Sequence, residues 1–407
     1  MKIVVVPPHF EPDVAPTGVV FTRVVEELAR RGHEIDVVTS LPWYRNHKVE
    51  DGYEGHLVRH EDTPWGRITR IHPFPTADKM NIPRRALSFA GFSALAAGVG
   101  MRGGRADAVI GVSPPLTLGL TGWAIARARG ARFVFNLQDI FPDVAIELGA
   151  LRSGRVIAVT RRLESLCYRL SDAITVLSDD LKQNLVTKGV DPAKVHVIPN
   201  FVDTEEISPR ERDNSYREEY GLTGKTVVMY AGNIGLSQAF DSVLDAASAL
   251  AYEEDLVFVI NGQGAQRAAL ENKARGMANV KFVDMQPANR LPEVLAAGDI
   301  HLIPLKKGLA NSSVPSKTYS ILAAGRPFVA SVDEGTEIAR VAERSGGGIA
   351  VAPEDSEALA KALRRLLDQP DETRRMGEEG RAYVEGWASP AAVAESYSRL
   401  LEDLQRR

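Results

Sequence analysis

The chain has 407 residues, more than the roughly 250–300 at which a single hydrophobic core stops growing, so we expect two domains. Apolar residues make up 44% and charged residues 25%, values typical of globular proteins that exclude a disordered, fibrous or membrane-embedded chain. With 49 Lys and Arg against 53 Asp and Glu, the net charge is -4, so no overall positive field favours nucleic acid as a partner.

Cys167 is the single cysteine, which excludes an internal disulfide framework and a cysteine-built metal site and suits a reducing compartment. The segment Met1–Pro8 has too few apolar residues before its prolines for a secretory signal. We therefore expect a cytoplasmic protein.

The first 200 residues alternate short, β-branched apolar runs with helical patterns. The runs are Ile3–Val6, Ile35–Val38, Ala108–Val112, Phe133–Leu137, Ile174–Leu177 and Val195–Ile198. They lack polar alternation, which is typical of strands buried on both faces. Helical patterns at Val19–Arg31 and Leu116–Arg129 each end in basic residues and a glycine. This alternation predicts an α/β domain with a parallel sheet.

Residues 201–225 are polar without a sustained apolar period, and we predict the interdomain linker there. A second alternating series follows, with strands predicted at Val227–Tyr230, Leu256–Ile260, Val280–Val283, Ile300–Pro304, Phe328–Ser331 and Ile349–Val351. The predicted domains are two doubly wound, Rossmann-like units at 1–200 and 226–385. The helix at 386–407 is expected to return to the first domain.

Ligands of open parallel sheets bind beyond the carboxyl ends of the strands, so two such sheets predict a cleft lined by loops. In the loop after the first strand, Gly18 opens a helix and lets a ligand approach the backbone N–H groups there. His9 in the same loop is more simply a turn residue.

The second domain has glycines after its first two strands, at Gly232-Asn233 and at Gly262-Gln263-Gly264. Together they indicate a nucleotide site. They are not a dinucleotide fingerprint, because position 267 is Arg where the third glycine would stand, and there is no P-loop.

Ser316 caps a predicted helix that has Lys317 in its first turn. A cation there opposes the helix dipole, and a bound anion would reverse that penalty. The pattern predicts a diphosphate held by Ser316, Lys317 and the helix end. A solvated lysine is the alternative.

The chain resembles the family 4 glycosyltransferases of the GT-B architecture over essentially its whole length. The resemblance rests on Gly18 and the motifs Leu28–Ile35, Val197–Asp203, Gly232-Asn233 and Leu322–Pro327. Within the family, Pro315-Ser316-Lys317 and Asp139–Asp143 resemble the subgroup that builds bacterial surface polysaccharides, including N-acetyl-fucosamine transferases of O-antigen synthesis.

The resemblance implies transfer of a sugar, with retention of configuration, from a UDP-sugar to a lipid-linked or polysaccharide-precursor acceptor, without a metal or other cofactor. It also implies that residues 1–200 bind the acceptor and residues 226–385 the nucleotide-sugar. We assign charge stabilisation to Lys317, backbone approach to Gly18 and Gly232-Asn233, and contact with the base to Met285. The family usually has two glutamates where this chain has Ser312 and Ser320, whose hydroxyl groups bind sugar or ribose hydroxyls more weakly. A UDP-sugar epimerase of the same architecture and a non-catalytic nucleotide-sugar-binding subunit remain alternatives.

Two features concern the acceptor side. Asp139 follows a buried strand and is predicted to orient an acceptor hydroxyl, although a turn residue would look the same. The 16 uncharged residues from Ala86 to Met101 are flanked by arginines and are too short to span a bilayer, which takes about 20. They fit a helix in contact with the anionic inner leaflet of the membrane, and they equally fit a helix packed in the core.

Overall fold

The computed structural model describes residues 1–45, 47–75, 82–147, 151–308 and 316–406. Within this part, the chain separates into two compact units, one comprising Met1–Asn200 with Val393–Arg407 and the other Phe201–Ala392. We refer to them as the N-terminal unit and the second unit.

The strands and helices are numbered in chain order. The strands are β1 (Lys2–Val6), β2 (Glu34–Ser40), β3 (Val58–Thr63), β4 (Gly66–Ile71), β5 (Ala108–Ser113), β6 (Arg132–Leu137), β7 (Ala173–Val176), β8 (Val195–Val197), β9 (Thr226–Ala231), β10 (Leu256–Asn261), β11 (Val280–Val283), β12 (Ile300–Pro304), β13 (Phe328–Ser331) and β14 (Gly348–Val351). The helices are α1 (Pro16–Arg30), α2 (Ile82–Gly100), α3 (Leu118–Arg129), α4 (Asp143–Glu147), α5 (Gly154–Leu170), α6 (Asp179–Thr187), α7 (Ser215–Glu219), α8 (Phe240–Ala249), α9 (Arg267–Lys273), α10 (Leu291–Ala297), α11 (Ser316–Ala323), α12 (Glu337–Ser345), α13 (Ser356–Asp368), α14 (Pro370–Trp387) and α15 (Pro390–Arg406).

The N-terminal unit is built on an eight-stranded sheet in the order β3-β4-β2-β1-β5-β6-β7-β8. Every pairing is parallel except that of β3 with β4. The central strands β1 and β5 are buried along almost their whole length, which explains their uninterrupted apolar sequences. The predicted parallel α/β fold of this half is therefore confirmed.

The antiparallel hairpin of β3 and β4 was not predicted from the sequence. Its residues are mostly polar, because β3 is the outermost strand and is only partly buried. Gly66, at the start of β4, has φ of +149°, and a Cβ there would lie 1.9 Å from the carbonyl oxygen of Ile35. The glycine is required for the close approach of β4 to β2.

The C-terminal helix α15 packs in the N-terminal unit through mostly apolar side chains and a small buried polar network. Asn136 on β6 donates from Nδ2 to the hydroxyl of Tyr397 on α15 at 2.9 Å and to Thr175 Oγ1 at 3.0 Å. Tyr397 and Asn136 are almost fully buried, so these bonds satisfy groups that would otherwise be costly to remove from water. The network joins α15 to the middle of the sheet.

The second unit has a six-stranded, all-parallel sheet in the order β11-β10-β9-β12-β13-β14. Numbered within the unit, this is 3-2-1-4-5-6, the order of a doubly wound Rossmann fold. Each of the six strands predicted in this half is present, and no predicted end differs from the observed one by more than one residue.

Residues 201–225, predicted as a linker, lie within the second unit and include α7. Arg217 on α7 is fully buried and donates from Nη2 to Asp299 at 2.7 Å, from Nε to the carbonyl oxygen of Ala297 at 2.9 Å, and from Nη1 to that of Lys225 at 2.9 Å. The polar sequence therefore reflects a buried ion pair and its hydrogen bonds, a pattern that lacks the apolar periodicity used to recognise helices.

The helix α2 contributes its apolar side chains to the core. Phe92 and Ala96 are buried in the N-terminal core, and Leu95 packs against it, whereas Leu87 is 74% exposed. This arrangement favours the core alternative for most of the apolar run. Throughout the described ranges, each helix falls short of the length and apolar content needed to cross a bilayer.

His301 on β12 is a buried histidine that the structure holds neutral. The residue is 1% exposed, and its Nε2 donates to the carbonyl oxygen of Leu295 at 2.9 Å. Burial lowers the pKa of His301 to about 4 from its ordinary value of 6.5. Gly298 is necessary beside it, because a Cβ at that position would lie 2.6 Å from His301 Nε2.

We predict that His301 makes the second unit less stable as the pH falls from 6.5 towards 4. The unfolded chain binds a proton at this residue below pH 6.5 and the folded chain does not until about pH 4, which amounts to about 3 kcal/mol at the lower limit. His301→Gln keeps a donor towards Leu295 and removes the titration. Its melting temperature should therefore depend less steeply on pH than that of the wild type.

The control is His56→Gln, which removes an exposed histidine and should leave the pH dependence unchanged. If the melting temperatures of the wild type and of His301→Gln changed by the same amount across this pH range, the assignment would be contradicted.

Candidate functional site

The topological switch point of the second unit lies between β9 and β12, since the chain runs from β9 outward to β10 and later returns to β12 on the other side. Ligands of open parallel sheets bind at such points, beyond the carboxyl ends of the strands. The segments that follow these ends are the loop from Gly232, the loop from Gly262 and the start of α11. Three of the sequence-predicted segments therefore lie at one edge of the sheet.

Lys317, in the first turn of α11, lies over the aromatic ring of Tyr230 at the end of β9. Its Nζ is 4.7 Å from the ring centroid and donates to the tyrosine hydroxyl at 2.9 Å. That hydroxyl in turn donates to the carbonyl oxygen of Asn233 at 2.5 Å. The chain of bonds fixes the ammonium group beside the loop that follows β9.

The ammonium of Lys317 has no carboxylate partner among the residues described. The residue keeps access to solvent, but the protein atoms around its ammonium group withdraw it from water and lower its pKa below the usual lysine value. A positive charge in this position is destabilised by desolvation and gains only the tyrosine ring and hydroxyl in return. An anion placed beside it would restore the missing partner.

Gly232 makes the position of Lys317 possible. Its φ is +142°, and a Cβ built there would lie 2.6 Å from Lys317 Nζ and 2.7 Å from Cε. Any larger residue would push the ammonium away from the end of β9. The structure thus brings together Gly232, Asn233 and Lys317, which the sequence had linked only as parts of segments that follow predicted parallel strands.

Gly262 and Gly264 have neighbours from the protein itself. A Cβ on Gly262 would lie 1.8 Å from the carbonyl oxygen of Gly232, and one on Gly264 would lie 2.2 Å from that of Ile234. The two loops are also bonded directly, Ile234 N–H donating to Gln263 O at 2.8 Å. Both glycines allow the β10 loop to pack against the β9 loop. Their predicted contact with a ligand stays a prediction.

Arg267, noted in the sequence only because it interrupts a glycine fingerprint, braces the same loops. Its Nη1 donates to the carbonyl oxygens of Gly262 and of Val283, the latter at 2.9 Å, and lies 3.1 Å from an Asp284 carboxylate oxygen. It therefore ties the carboxyl ends of β10 and β11. No local sequence signal distinguishes this arginine from a solvated one on a short helix.

Met285, predicted to contact the base, lies two residues beyond β11 and is 46% exposed. β11 is the outer strand, two positions from β9. The role of Met285 stays a prediction.

The remaining predicted donor-site residues are serines. Ser320 is half-buried on α11, one turn after Lys317. Ser316 is the first residue of α11, but its side chain, like the whole of Ser312, lies outside the described residues.

At the corresponding edge of the N-terminal unit, the switch point lies between β1 and β5. Gly18, predicted to admit a ligand, is buried in the first turn of α1, and its N–H donates to the carbonyl oxygen of Ala15 at 2.8 Å. A Cβ on Gly18 would lie 3.0 Å from His9 Cβ. The absence of a side chain at Gly18 therefore leaves room for His9, and ligand contact at Gly18 stays a prediction.

His9 is held by a buried carboxylate that sequence reasoning missed. Its Nδ1 donates to Asp13 Oδ2 at 2.7 Å, and Asp13 is fully buried. The other carboxylate oxygen accepts the backbone N–H of Tyr44 at 3.1 Å. A spacing of four residues in a proline-rich loop carries no helical signal, so the pair was not recognisable in the sequence.

Asp139 lies just beyond β6, next to β5, and is exposed. Partial desolvation of its carboxyl group raises its pKa above the ordinary aspartate value. The segment that follows is anchored by Lys188, whose Nζ lies 2.7 Å from Asp143 on α4 and also contacts the buried Glu164 on α5 at 2.5 Å. Asp139 therefore directly precedes a segment that the ion pairs of Lys188 hold in place.

Both units match known families. Residues 17–200 match the family described as a glycosyl transferase 4-like domain, and residues 225–369 match the one described as glycosyl transferases group 1. The putative colanic acid biosynthesis glycosyl transferase WcaI of Escherichia coli (strain K12) is 30% identical over 383 residues, which cover 91% of this chain and 93% of that protein. The chain belongs to the family 4 glycosyltransferases. It is therefore an enzyme, as the sequence predicted.

Further relatives agree with this assignment. The probable glycosyltransferase WbjE of Pseudomonas aeruginosa is 29% identical to this glycosyltransferase over 305 residues, covering 73% of this chain and 74% of that protein. Among solved structures, Anabaena HepE in complex with UDP has a TM-score of 0.66 at 14% identity and covers 99% of this chain and 100% of that one. The structural likeness supports the GT-B fold of the enzyme.

Proposed function

We propose that this glycosyltransferase moves a sugar from a UDP-sugar to a lipid-linked or polysaccharide-precursor acceptor, with retention of configuration. The observation that carries the donor half is the ammonium of Lys317 at the switch point, partly withdrawn from water and without an acidic partner in the described part of the chain. The relative WcaI is named for colanic acid biosynthesis, which supports a surface polysaccharide as the product. HepE, which shares the fold, was solved with UDP.

The diphosphate of the donor is the ligand that best fits the surroundings of Lys317. Two charged phosphates supply the negative charge that the ammonium lacks, and charge-assisted hydrogen bonds are roughly twice as strong as neutral ones. The first residues of α11 offer backbone N–H groups and the positive end of the helix dipole. Lys317 and the dipole repel each other without an anion and both attract one, so the diphosphate is favoured over a neutral ligand.

The residues that we propose for contact with the other parts of the donor lie along the same edge of the sheet. Asn233 is exposed next to the Lys317 ammonium, where it can contact a phosphate or the transferred sugar. Met285 offers an apolar surface beyond β11 for the base. Ser320 lies one turn further along α11 than Lys317 and is proposed to contact a donor hydroxyl.

In this proposal the reaction needs no protein nucleophile. The bond from the sugar C1 to the diphosphate oxygen breaks, the acceptor hydroxyl oxygen attacks C1 from the same face, and the departing phosphate oxygen takes the acceptor proton. Lys317 stabilises the charge that develops on the leaving diphosphate. The anomeric proton of the product, observed by NMR, must show the configuration of the donor; an inverted centre would overturn this mechanism.

We predict that Lys317→Ala weakens UDP binding by at least tenfold, which corresponds to about 1.4 kcal/mol. Lys317→Arg keeps the positive charge and should lose less affinity for UDP than Lys317→Ala. Gly232→Ala should weaken binding as well, because its methyl group occupies the position of the ammonium. Isothermal titration calorimetry with UDP measures all three.

Since the pKa of Lys317 is lowered, the affinity of the wild type for UDP should fall with rising pH earlier than an ordinary lysine would allow, and that of Lys317→Arg should not. The matched control is Lys273→Ala, which removes an exposed lysine of the same unit that pairs with Asp241. Equal UDP affinity in wild type and Lys317→Ala would remove the phosphate assignment.

Asp139 is proposed to orient the acceptor hydroxyl from the N-terminal unit. An exposed carboxylate at the end of a central strand accepts hydrogen bonds from hydroxyl groups, and its raised pKa reflects the partial loss of water around it. We predict that Asp139→Asn raises the KM for a lipid-linked acceptor extracted from bacterial membranes and leaves the Kd for UDP unchanged. Asp172→Asn, at a distant carboxylate paired with Arg132, is the control. An unchanged acceptor KM would exclude the role.

The surface that we propose for contact with an anionic membrane is the outer side of α5. Val156 and Val159 are 47% and 65% exposed there. They lie among exposed arginines at positions 155, 161, 162 and 169, and the one acidic residue of the helix, Glu164, is buried. Apolar side chains surrounded by basic ones are typical of helices at an anionic interface. Because α2 packs largely in the core, we propose α5 for this contact in place of the segment from Ala86 to Met101 that the sequence suggested.

We predict that the enzyme sediments with vesicles containing 30% phosphatidylserine in phosphatidylcholine more than with phosphatidylcholine alone. Arg155→Glu/Arg162→Glu should abolish the difference, because it reverses two charges on the outer side of α5. Arg374→Glu/Arg375→Glu changes the net charge equally on α14 and should retain binding. Equal sedimentation of both double variants would exclude α5 as the contact.

A further inference from the structure

Four ring side chains of the N-terminal unit gather at the carboxyl edge of its sheet. The ring of His9, in the loop after β1, stacks on that of Trp43 with centroids 5.5 Å apart and planes at 30°. The ring of Tyr44 lies 5.4 Å from His9 at 77°, and His47 lies 6.0 Å from Trp43. Trp43, Tyr44 and His47 follow β2, the strand next to β1, so two loops of one edge form the cluster.

The polar anchor of this cluster is Asp13. A fully buried carboxylate is unfavourable unless hydrogen bonds compensate it, and Asp13 accepts one from His9 Nδ1 and one from the backbone of Tyr44. One carboxylate thereby fixes the imidazole and the segment that carries Trp43 and Tyr44. A neutral residue would satisfy packing at this position without the free-energy cost of burying a carboxylate.

The tautomer of His9 follows from that anchor. A carboxylate can only accept, so Nδ1 carries the proton and donates it, and in the neutral ring Nε2 presents a lone pair. Among the residues described, Nε2 has no hydrogen-bond partner, and the His9 side chain is 14% exposed. The site therefore offers one oriented hydrogen-bond acceptor, His9 Nε2, beside the aromatic rings of Trp43 and Tyr44.

These features suit the ring of a sugar. A pyranose has an apolar face of C–H groups that packs on aromatic rings, and hydroxyl groups on its rim that donate to an acceptor such as Nε2. Trp43 is half-buried and Tyr44 is 41% exposed, so both rings are accessible. The nearby Ser113, which ends β5 at the other side of the switch point, has a buried hydroxyl without a partner among the described residues.

We propose that His9, Trp43 and Tyr44 form a subsite for the terminal sugar of the acceptor. Nε2 of His9 accepts a hydrogen bond from one acceptor hydroxyl, the rings of Trp43 and Tyr44 pack on the sugar face, and Asp13 is a positioning residue. The assignment of the sugar to the acceptor rests on the proposed function. The existence of a sugar site on the N-terminal unit does not.

The test uses two isosteric substitutions of His9 that separate its two nitrogens. His9→Gln places an amide at the position of Nε2 and loses the contact with Asp13, whereas His9→Asn places one at Nδ1 and loses Nε2. If His9 binds sugar, His9→Gln should retain affinity within about threefold and His9→Asn should lose it about tenfold. If His9 serves only to satisfy Asp13, the order should be reversed.

The probes are octyl β-D-glucopyranoside, octyl β-D-galactopyranoside and octyl α-D-mannopyranoside below their micellar concentrations. Binding to the full-length enzyme is followed by saturation-transfer NMR, and near-ultraviolet circular dichroism checks that each variant is folded. Trp43→Ala should lose affinity about tenfold, and Tyr252→Ala, an exposed tyrosine of the second unit, should not.

The proposal is overturned if none of the three glycosides binds the wild type, if all His9 variants bind alike, or if His9→Asn binds better than His9→Gln. UDP calorimetry on the same preparations is independent of these outcomes. A wild type that binds glycosides through His9 but not UDP would refute the donor assignment alone, and the converse would refute the subsite alone.

Discussion

The carboxyl edge of the second sheet, which we propose as the donor site, depends on one ammonium group that the fold partly withdraws from water and that has no carboxylate partner among the described residues. Lys317 donates to Tyr230, Tyr230 donates to the backbone of Asn233, and Gly232 leaves the space that the lysine occupies. None of these groups neutralises the charge. In our proposal the substrate does, and the protein holds the charge where a diphosphate would leave, so that little reorganisation is needed during transfer.

The two units share one local arrangement, although the side chains in it differ in chemistry. In each, the first strand of the sheet ends at a switch point, and a glycine leaves room there for one polar side chain. Gly18 accommodates His9 in the N-terminal unit, and Gly232 accommodates Lys317 in the second. A neighbouring group then fixes the orientation, Asp13 for the histidine and Tyr230 for the lysine. Both glycines thus leave space that a side chain of the protein occupies.

Sequence reasoning succeeded where a pattern extends over many residues. Buried parallel strands are recognisable from continuous apolar runs, and parallel pairing places the segments that follow them, including Gly232 and Lys317, at one edge of the sheet. Sequence reasoning failed where individual polar contacts decide the structure. The pairing of His9 with Asp13, the bracing by Arg267 and the burial of Arg217 each depend on a few specific contacts that leave no period in the sequence. The glycines at 262 and 264 were recognised, but only the structure shows that backbone carbonyls fill the space beside them.

In the proposed donor site, the serines at 312 and 320 would change how the donor affinity is distributed. A hydrogen bond to a charged group contributes roughly 1.5–3 kcal/mol and one between neutral groups about 1 kcal/mol. An enzyme with two glutamates can hold the sugar and the ribose strongly and depend less on the phosphates. With serine hydroxyl groups at both positions, the proposed site would make fewer charged contacts to the neutral parts of a nucleotide-sugar, so a larger share of its binding energy would come from the diphosphate. Two serines also carry no negative charge that would repel the diphosphate, so the attraction of the Lys317 ammonium for it would not be opposed at these two positions.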